Sequence, residues 1–266
     1  MSRKILAEKS KTIVIKIGTN ILTTEDGKLD LNNLRNLAEQ ISDKILQHKK
    51  QILLVSSGAI ICGSAHLSLS AKTIPEKQAA ASIGQILLMR EYLQFFGQKG
   101  ITIGQILLTK EGLELPALRT NAFNTINKLL SNTTIPIINE NDTVATDEIG
   151  TRRFGDNDEL SFLVAKLIQA DMLLMLTDTA GLYTSNPKKS KKAKLISDLS
   201  EISDKTFEMI EDTPGKKGRG GMLSKIQNAK KASEAGIPVI IASGYEKNVI
   251  HDIFAGKNVG TYIKAQ

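Results

Sequence analysis

Short, continuously apolar runs alternate with longer stretches of helical periodicity along this entire chain, and few folds accept that pattern. The runs are Thr12–Ile17, Gln51–Ser56, Ile101–Leu108, Ile135–Asn139, Met172–Thr177 and Pro238–Ala242, as expected of strands buried on both faces of a sheet. Helical spacing fills Leu31–His48, Pro75–Phe96, Leu115–Ser131, Asp158–Gln169 and Met222–Ala235. Pro75 opens one helix at a first-turn position, where its missing N–H costs nothing. Ala235-Gly236-Ile237-Pro238 stops another helix and starts a strand. The alternation predicts an α/β fold with a mostly parallel sheet and helices on both faces.

The 266 residues suit one large domain or two closely joined lobes. A compositional shift near Ala170, from Gly/Ser/Asn-rich loops to lysine-rich sequence, is read as two lobes of one fold. Apolar residues at 41% and charged residues at 24% are ordinary for a soluble protein. No apolar run approaches the ~20 residues of a membrane span, and the charged start at Arg3-Lys4 lacks a signal-peptide core. Cys62 is the only cysteine, so an intrachain disulfide is excluded, and a cytoplasmic location is expected. His48, His66 and His251 are scattered, which argues against a His/Cys metal site. The formal charge of +7 comes largely from two runs, Lys188–Lys194 and Lys216-Lys217-Gly218-Arg219. With only 4% aromatic residues, a base-stacking platform is poorly supplied. Attraction of a small anion explains the charge equally well, so neither nucleic acid nor membrane is expected as a partner.

Ligands of open α/β sheets bind outside the carboxyl ends of the strands, which directs attention to five loops. In Lys16-Ile17-Gly18-Thr19-Asn20, a charge sits inside an apolar strand. It either snorkels or points along the sheet toward an anion. Val55-Ser56-Ser57-Gly58-Ala59-Ile60 is either a tight packing turn or a helix N-terminus presenting N–H groups to an anion. Asn139-Glu140-Asn141-Asp142-Thr143-Val144 and Phe154-Gly155-Asp156-Asn157-Asp158-Glu159 concentrate groups suited to the amino and carboxylate ends of an amino acid. Asx turns and helix capping, by Asp156 or Asn157, are the other use of such residues. Leu176-Thr177-Asp178-Thr179-Ala180-Gly181-Leu182-Tyr183 offers a hydroxyl and an acid to a nucleotide, or forms a turn. Gly218-Arg219-Gly220-Gly221-Met222-Leu223-Ser224-Lys225 reads as a glycine-rich loop entering a helix, with Lys225 in its first turn. P-loop, Rossmann and protein-kinase spacings are missing from the sequence. Together these loops indicate phosphoryl transfer to a small polar acceptor.

The motifs Val14–Thr19, Val55–Ile60, Ala80–Gln85, Gly104–Thr109, Ile135–Asp142, Phe154–Asp158 and Leu176–Tyr183 make the chain resemble the glutamate 5-kinases. These form a branch of the amino acid kinase superfamily, and the resemblance runs from about Lys11 to about Tyr262. It implies a three-layer sandwich around a mainly parallel sheet of about eight strands, the carbamate kinase-like fold. It implies one domain whose N-terminal lobe (about 1–170) binds glutamate and whose C-terminal lobe (about 171–266) binds ATP. Ser57, Gly58, Asp142, Asp156 and Asn157 would bind glutamate. Lys16, Thr177, Asp178 and the run Arg219, Gly220, Gly221, Met222, Leu223, Ser224 and Lys225 would hold ATP, whose Mg²⁺ needs no protein ligand. Lys16 and Lys225 would flank the transferred phosphoryl group, with Asp158 holding both. The implied activity is phosphorylation of the glutamate γ-carboxylate, the first step of proline biosynthesis. Feedback inhibition by proline, a homodimer or homotetramer, and handover to glutamate-5-semialdehyde dehydrogenase are implied too. Arg219 and Leu223 replace residues that are usually polar in the family, and the C-terminal PUA module of many members is not expected here. Two other readings stand beside this one. They are an acetylglutamate, aspartate or carbamate kinase, and a non-catalytic sensor of proline or nucleotide on the same fold.

Overall fold

A computed structural model describes residues 1–144, 157–185, 187, 190, 192–211 and 216–266, without the side chains of 211 and 216–220. Helix α1 (Arg3–Lys9) leads into β1 (Thr12–Ile17), α2 (Thr19–Leu22), α3 (Leu31–His48) and β2 (Gln51–Val55). There follow α4 (Ala59–Leu67), α5 (Ile74–Gly97), β3 (Ile103–Leu108), α6 (Lys110–Glu114), α7 (Pro116–Ser131) and β4 (Ile135–Glu140). The second half holds α8 (Asn157–Leu167), β5 (Met172–Thr177), β6 (Asp198–Leu199) and α9 (Asp204–Glu211). It ends with α10 (Lys216–Glu234), β7 (Val239–Ser243), α11 (Val249–Phe254) and β8 (Thr261–Ile263).

Among the described residues the strands form one sheet of eight, in the order β3-β4-β2-β1-β5-β7-β8-β6. Its pairings are parallel except β7 with β8. The order turns back at β1, which pairs with β2 on one side and β5 on the other. A crevice therefore opens between the carboxyl ends of β1 and β5, where open sheets bind ligands. Strand alternation sends Ile13, Ile15 and Ile17 into a core shared with α3, α5 and α11. Val14 faces the opposite core, built with α7, α8 and α10. By the same alternation Lys16 points toward α8 and α10.

Local chemistry sets the helix ends. Asp30 caps α3 by accepting from Asn33 N at 3.0 Å. Thr73 and Glu76 form a capping box at the start of α5, with Pro75 in its first turn. The six expected strands and five expected helices are present, with ends displaced by a few residues. The short β6 and β8 complete the eight strands that the resemblance implies; the residue pattern alone places six, because two or three residues carry too little pattern. The expected loop at Gly218–Gly221 is a correction: α10 begins at Lys216 and runs through it. Glycine inside a helix costs ~1 kcal/mol, and burial of Ile226, Ala229 and Ala232 on α10 outweighs that local preference. Lys225 consequently lies well beyond the first turn of its helix. Among the described residues, no helix is long and apolar enough to cross a membrane.

Helices α4 and α5 touch backbone to backbone, which explains the Ala80–Gln85 motif. A Cβ on Gly84 would lie 1.8 Å from the Ala59 carbonyl oxygen, and one on Gly63 would lie 1.8 Å from that of Ala80. Glycine at both positions is therefore what holds the start of α4 in place. Gly97, at the end of α5, has nothing within 4 Å of such a Cβ. In urea denaturation, Gly84→Ala should lose about 1–3 kcal/mol or more, while Gly97→Ala should be neutral or slightly stabilising. Equal effects would show that the α4–α5 contact is not what requires glycine.

Candidate functional site

Lys16 comes from the carboxyl end of β1 with its side chain fully buried, and its ammonium lies 2.8 Å from Asp158 Oδ1. Asp158 stands in the first turn of α8, where a carboxylate is favoured by the helix dipole. Its other oxygen, Oδ2, accepts from Lys225 Nζ at 3.2 Å, and the side chain of Asp158 is also fully buried. Lys225 reaches across from α10, steadied by a 3.2 Å hydrogen bond to the Gly221 carbonyl one turn earlier. Burial alone would push the Asp158 carboxyl up. The charges of Lys16 and Lys225, with their hydrogen bonds, outweigh that and hold it below the usual carboxylate range. Two ammonium groups thus share one buried carboxylate at the sheet's switch point.

The residue before Asp158 builds the second half of the site. Asn157 Nδ2 donates to Ser57 Oγ at 3.1 Å, to Asn139 Oδ1 at 2.8 Å and to the Ser56 carbonyl. Asn139 Oδ1 also accepts from Glu140 N at 2.9 Å. Beneath them, the Ser56 and Tyr92 hydroxyls share a 3.0 Å hydrogen bond in the core. Gly58 takes φ +91° at the N-cap of α4, a conformation that glycine adopts readily, and it turns that helix's N-terminus toward the site. Among the described residues, Asn139 Nδ2 and Asn157 Oδ1 are buried without a hydrogen-bond partner. One donor and one acceptor are therefore left for a bound molecule.

A third group lies along the same edge of the sheet. Thr177 ends β5, and Asp178 accepts from its hydroxyl at 3.1 Å and from Asn20 Nδ2 at 2.9 Å. Burial would raise the Asp178 carboxyl, yet these hydrogen bonds bring it below its ordinary range.

The model of the amino acid kinase family matches residues 11–243. The chain belongs to the amino acid kinase family. A protein of Clostridium tetani described as glutamate 5-kinase is 43% identical to it over 99% of this chain and 98% of its own. One from Thermoanaerobacter sp., with the same description, is 44% identical over 94% of this chain and 66% of its own length. Among solved structures, UMP kinase from Bacillus anthracis shares the fold at a TM-score of 0.62 and 17% identity, covering 97% of each chain. An isopentenyl phosphate kinase does so at 0.64 and 16%, covering 95% of this chain and all of its own.

In this amino acid kinase the structure brings together Lys16, Asp158 and Lys225, and separately Ser57 and Asn157. Asp142 is half-buried two residues beyond β4. Beside it the backbone makes a β-turn, the Asn141 carbonyl accepting from Val144 N at 3.1 Å, while Asn141 Oδ1 accepts from the Thr143 hydroxyl. Met222 and Leu223 pack against the α8–α10 core, while Ser224 accepts from Asn228 Nδ2 through its carbonyl at 3.0 Å. Asp156 and the side chain of Arg219 lie outside the described residues, and Gly220 lies within α10. Asn139 and Tyr92 are site residues to which the sequence alone assigns no role. The position of Asn139 near the carboxyl end of a strand was the available signal; nothing local marked Tyr92.

The depressed Asp158 value fixes a sign. Its contribution to stability is fully present above the unfolded carboxylate value of ~3.9 and is lost as pH falls through the lower folded value. Asp158→Asn strands two buried ammonium groups and should cost about 3–5 kcal/mol at neutral pH. In urea titrations that deficit should stay constant down to about pH 5 and narrow only below about pH 4. Narrowing near pH 6, or none at pH 3, would contradict an Asp158 that is ionised by its two partners.

Proposed function

We propose that this chain transfers the γ-phosphoryl group of ATP to the γ-carboxylate of L-glutamate, forming L-glutamyl 5-phosphate for proline synthesis. The observation that carries this reading is a charge-pairing centre and an amide cluster on consecutive residues, Asp158 and Asn157. They occur in a chain similar over nearly its whole length to proteins described as glutamate 5-kinases. A carboxylate oxygen of glutamate attacks the γ-phosphorus, the bridge between the β- and γ-phosphates breaks, and ADP leaves. The acceptor is ionised at neutral pH, so no general base is required.

The protein's task is to position two anions in line and to stabilise charge on the transferring oxygens. Lys16 and Lys225 supply that charge, and Asp158 holds both ammonium groups in place at 2.8 and 3.2 Å. Magnesium enters as part of the nucleotide substrate. Ser57, Asp142 and Asn157, joined by Gly58 at the start of α4, hold glutamate on the N-terminal lobe. The acceptor atom of Asn157 suits its α-ammonium group, and the donor atom of Asn139 its α-carboxylate. Thr177, Asp178 and the stretch up to Lys225 hold ATP on the C-terminal lobe. Competition by proline, a dimeric or tetrameric assembly, a cytoplasmic setting and handover of the reactive acyl phosphate extend the same reading.

Hydroxylamine converts an acyl phosphate into a stable hydroxamate. With MgATP, hydroxamate should form with L-glutamate and not with N-acetylglutamate or aspartate; the opposite preference would sink the assignment. In the same assay, Asp142→Ala should chiefly raise the KM for glutamate, since the contact belongs to ground-state binding.

A further inference from the structure

The loops after β1, β5 and β7 are tied to one another beside Thr177 and Asp178. Tyr245 lies two residues beyond β7, and its hydroxyl donates to the Asn20 carbonyl. The Asn20 side chain in turn donates to Asp178 Oδ2 at 2.9 Å, opposite the Thr177 hydroxyl on Oδ1 at 3.1 Å. Backbone bonds join the same loops: Gly244 N to the Thr177 carbonyl at 2.9 Å, and Gly18 N to that of Leu176 at 3.1 Å. A Cβ on Gly244 would come within 2.8 Å of Ile21 Cγ2. The backbone entering Tyr245 is thus packed against α2 and sets where the ring stands.

An ionised Asp178 repels phosphate oxygens. The parts of ATP able to donate a hydrogen bond to it are the ribose hydroxyls and the adenine amino group. We propose that Tyr245 is a positioning residue for nucleoside recognition: through Asn20 it fixes the Asp178 carboxylate that reads the sugar or base of the nucleotide. This rests on the reading of Asp178 as a nucleotide contact and does not depend on which acceptor is phosphorylated.

The test is calorimetric binding of MgATP, and separately of magnesium tripolyphosphate, to the whole chain without an acceptor. Tyr245→Phe keeps the ring and removes the O–H. It should weaken MgATP about three- to tenfold, leave tripolyphosphate unchanged and leave Tm where it was. Asn20→Ala should weaken MgATP comparably, and adding Tyr245→Phe to it should cost nothing more, because the two act in series. Unchanged MgATP affinity in Tyr245→Phe, equal losses for both ligands, or losses that multiply in the double variant would each overturn the inference. So would wild-type protein that binds tripolyphosphate as tightly as MgATP. Intact MgATP binding with no glutamyl hydroxamate would instead sink the acceptor assignment and leave this test readable.

Discussion

Lys16 is a fully buried charge in a strand of isoleucine and valine, and Asp158, 2.8 Å from its ammonium, supplies the counter-charge there. An isolated buried ion costs many kcal/mol, so the position of α8 is tied to that of β1. Asp158 has a second oxygen and spends it on Lys225 at 3.2 Å, which ties α10 to the same point. Three elements from distant parts of the chain are thus registered on one carboxylate. That carboxylate also sets the spacing of the two cations that an incoming phosphoryl group would meet.

The amide cluster depends on the same helix turn. Because Asn157 precedes Asp158, whatever places the lysine counter-ion also places the group that gathers Ser57 and Asn139. The α4–α5 contact through Gly63 and Gly84 then fixes the other wall, since Ser57 and Gly58 lead directly into α4. The proposed acceptor and donor halves are joined by rigid elements, the kind of support that in-line transfer requires.

Much of this was legible in the sequence, for identifiable reasons. Strands buried on both faces are continuous apolar runs, so β1, β2, β4 and β5 stood out, and the carboxyl-end rule then pointed to Lys16, Ser57 and Thr177. A lysine inside such a run announced a partner without naming it; Asp158 came from family resemblance and is found in contact. Three things escaped. The start of α10 was hidden because glycine signals a loop locally, whereas burial of the helix's apolar face decides the outcome. Tyr92 carries no local mark, since its role lies in reaching Ser56 across the core at 3.0 Å. The Tyr245–Asn20–Asp178 chain joins residues far apart in sequence, and only the folded sheet edge brings them together.

The central claim is that Asp158 acts through the lysines it holds, not beside them. A double-mutant cycle on the turnover number for hydroxamate formation tests it, using Asp158→Asn, Lys225→Met and the two combined at saturating substrates. If the residues work as one unit, the double variant should turn over about as slowly as the slower single variant. Losses that multiply would show that Asp158 and Lys225 contribute independently, and the shared-carboxylate account would be wrong.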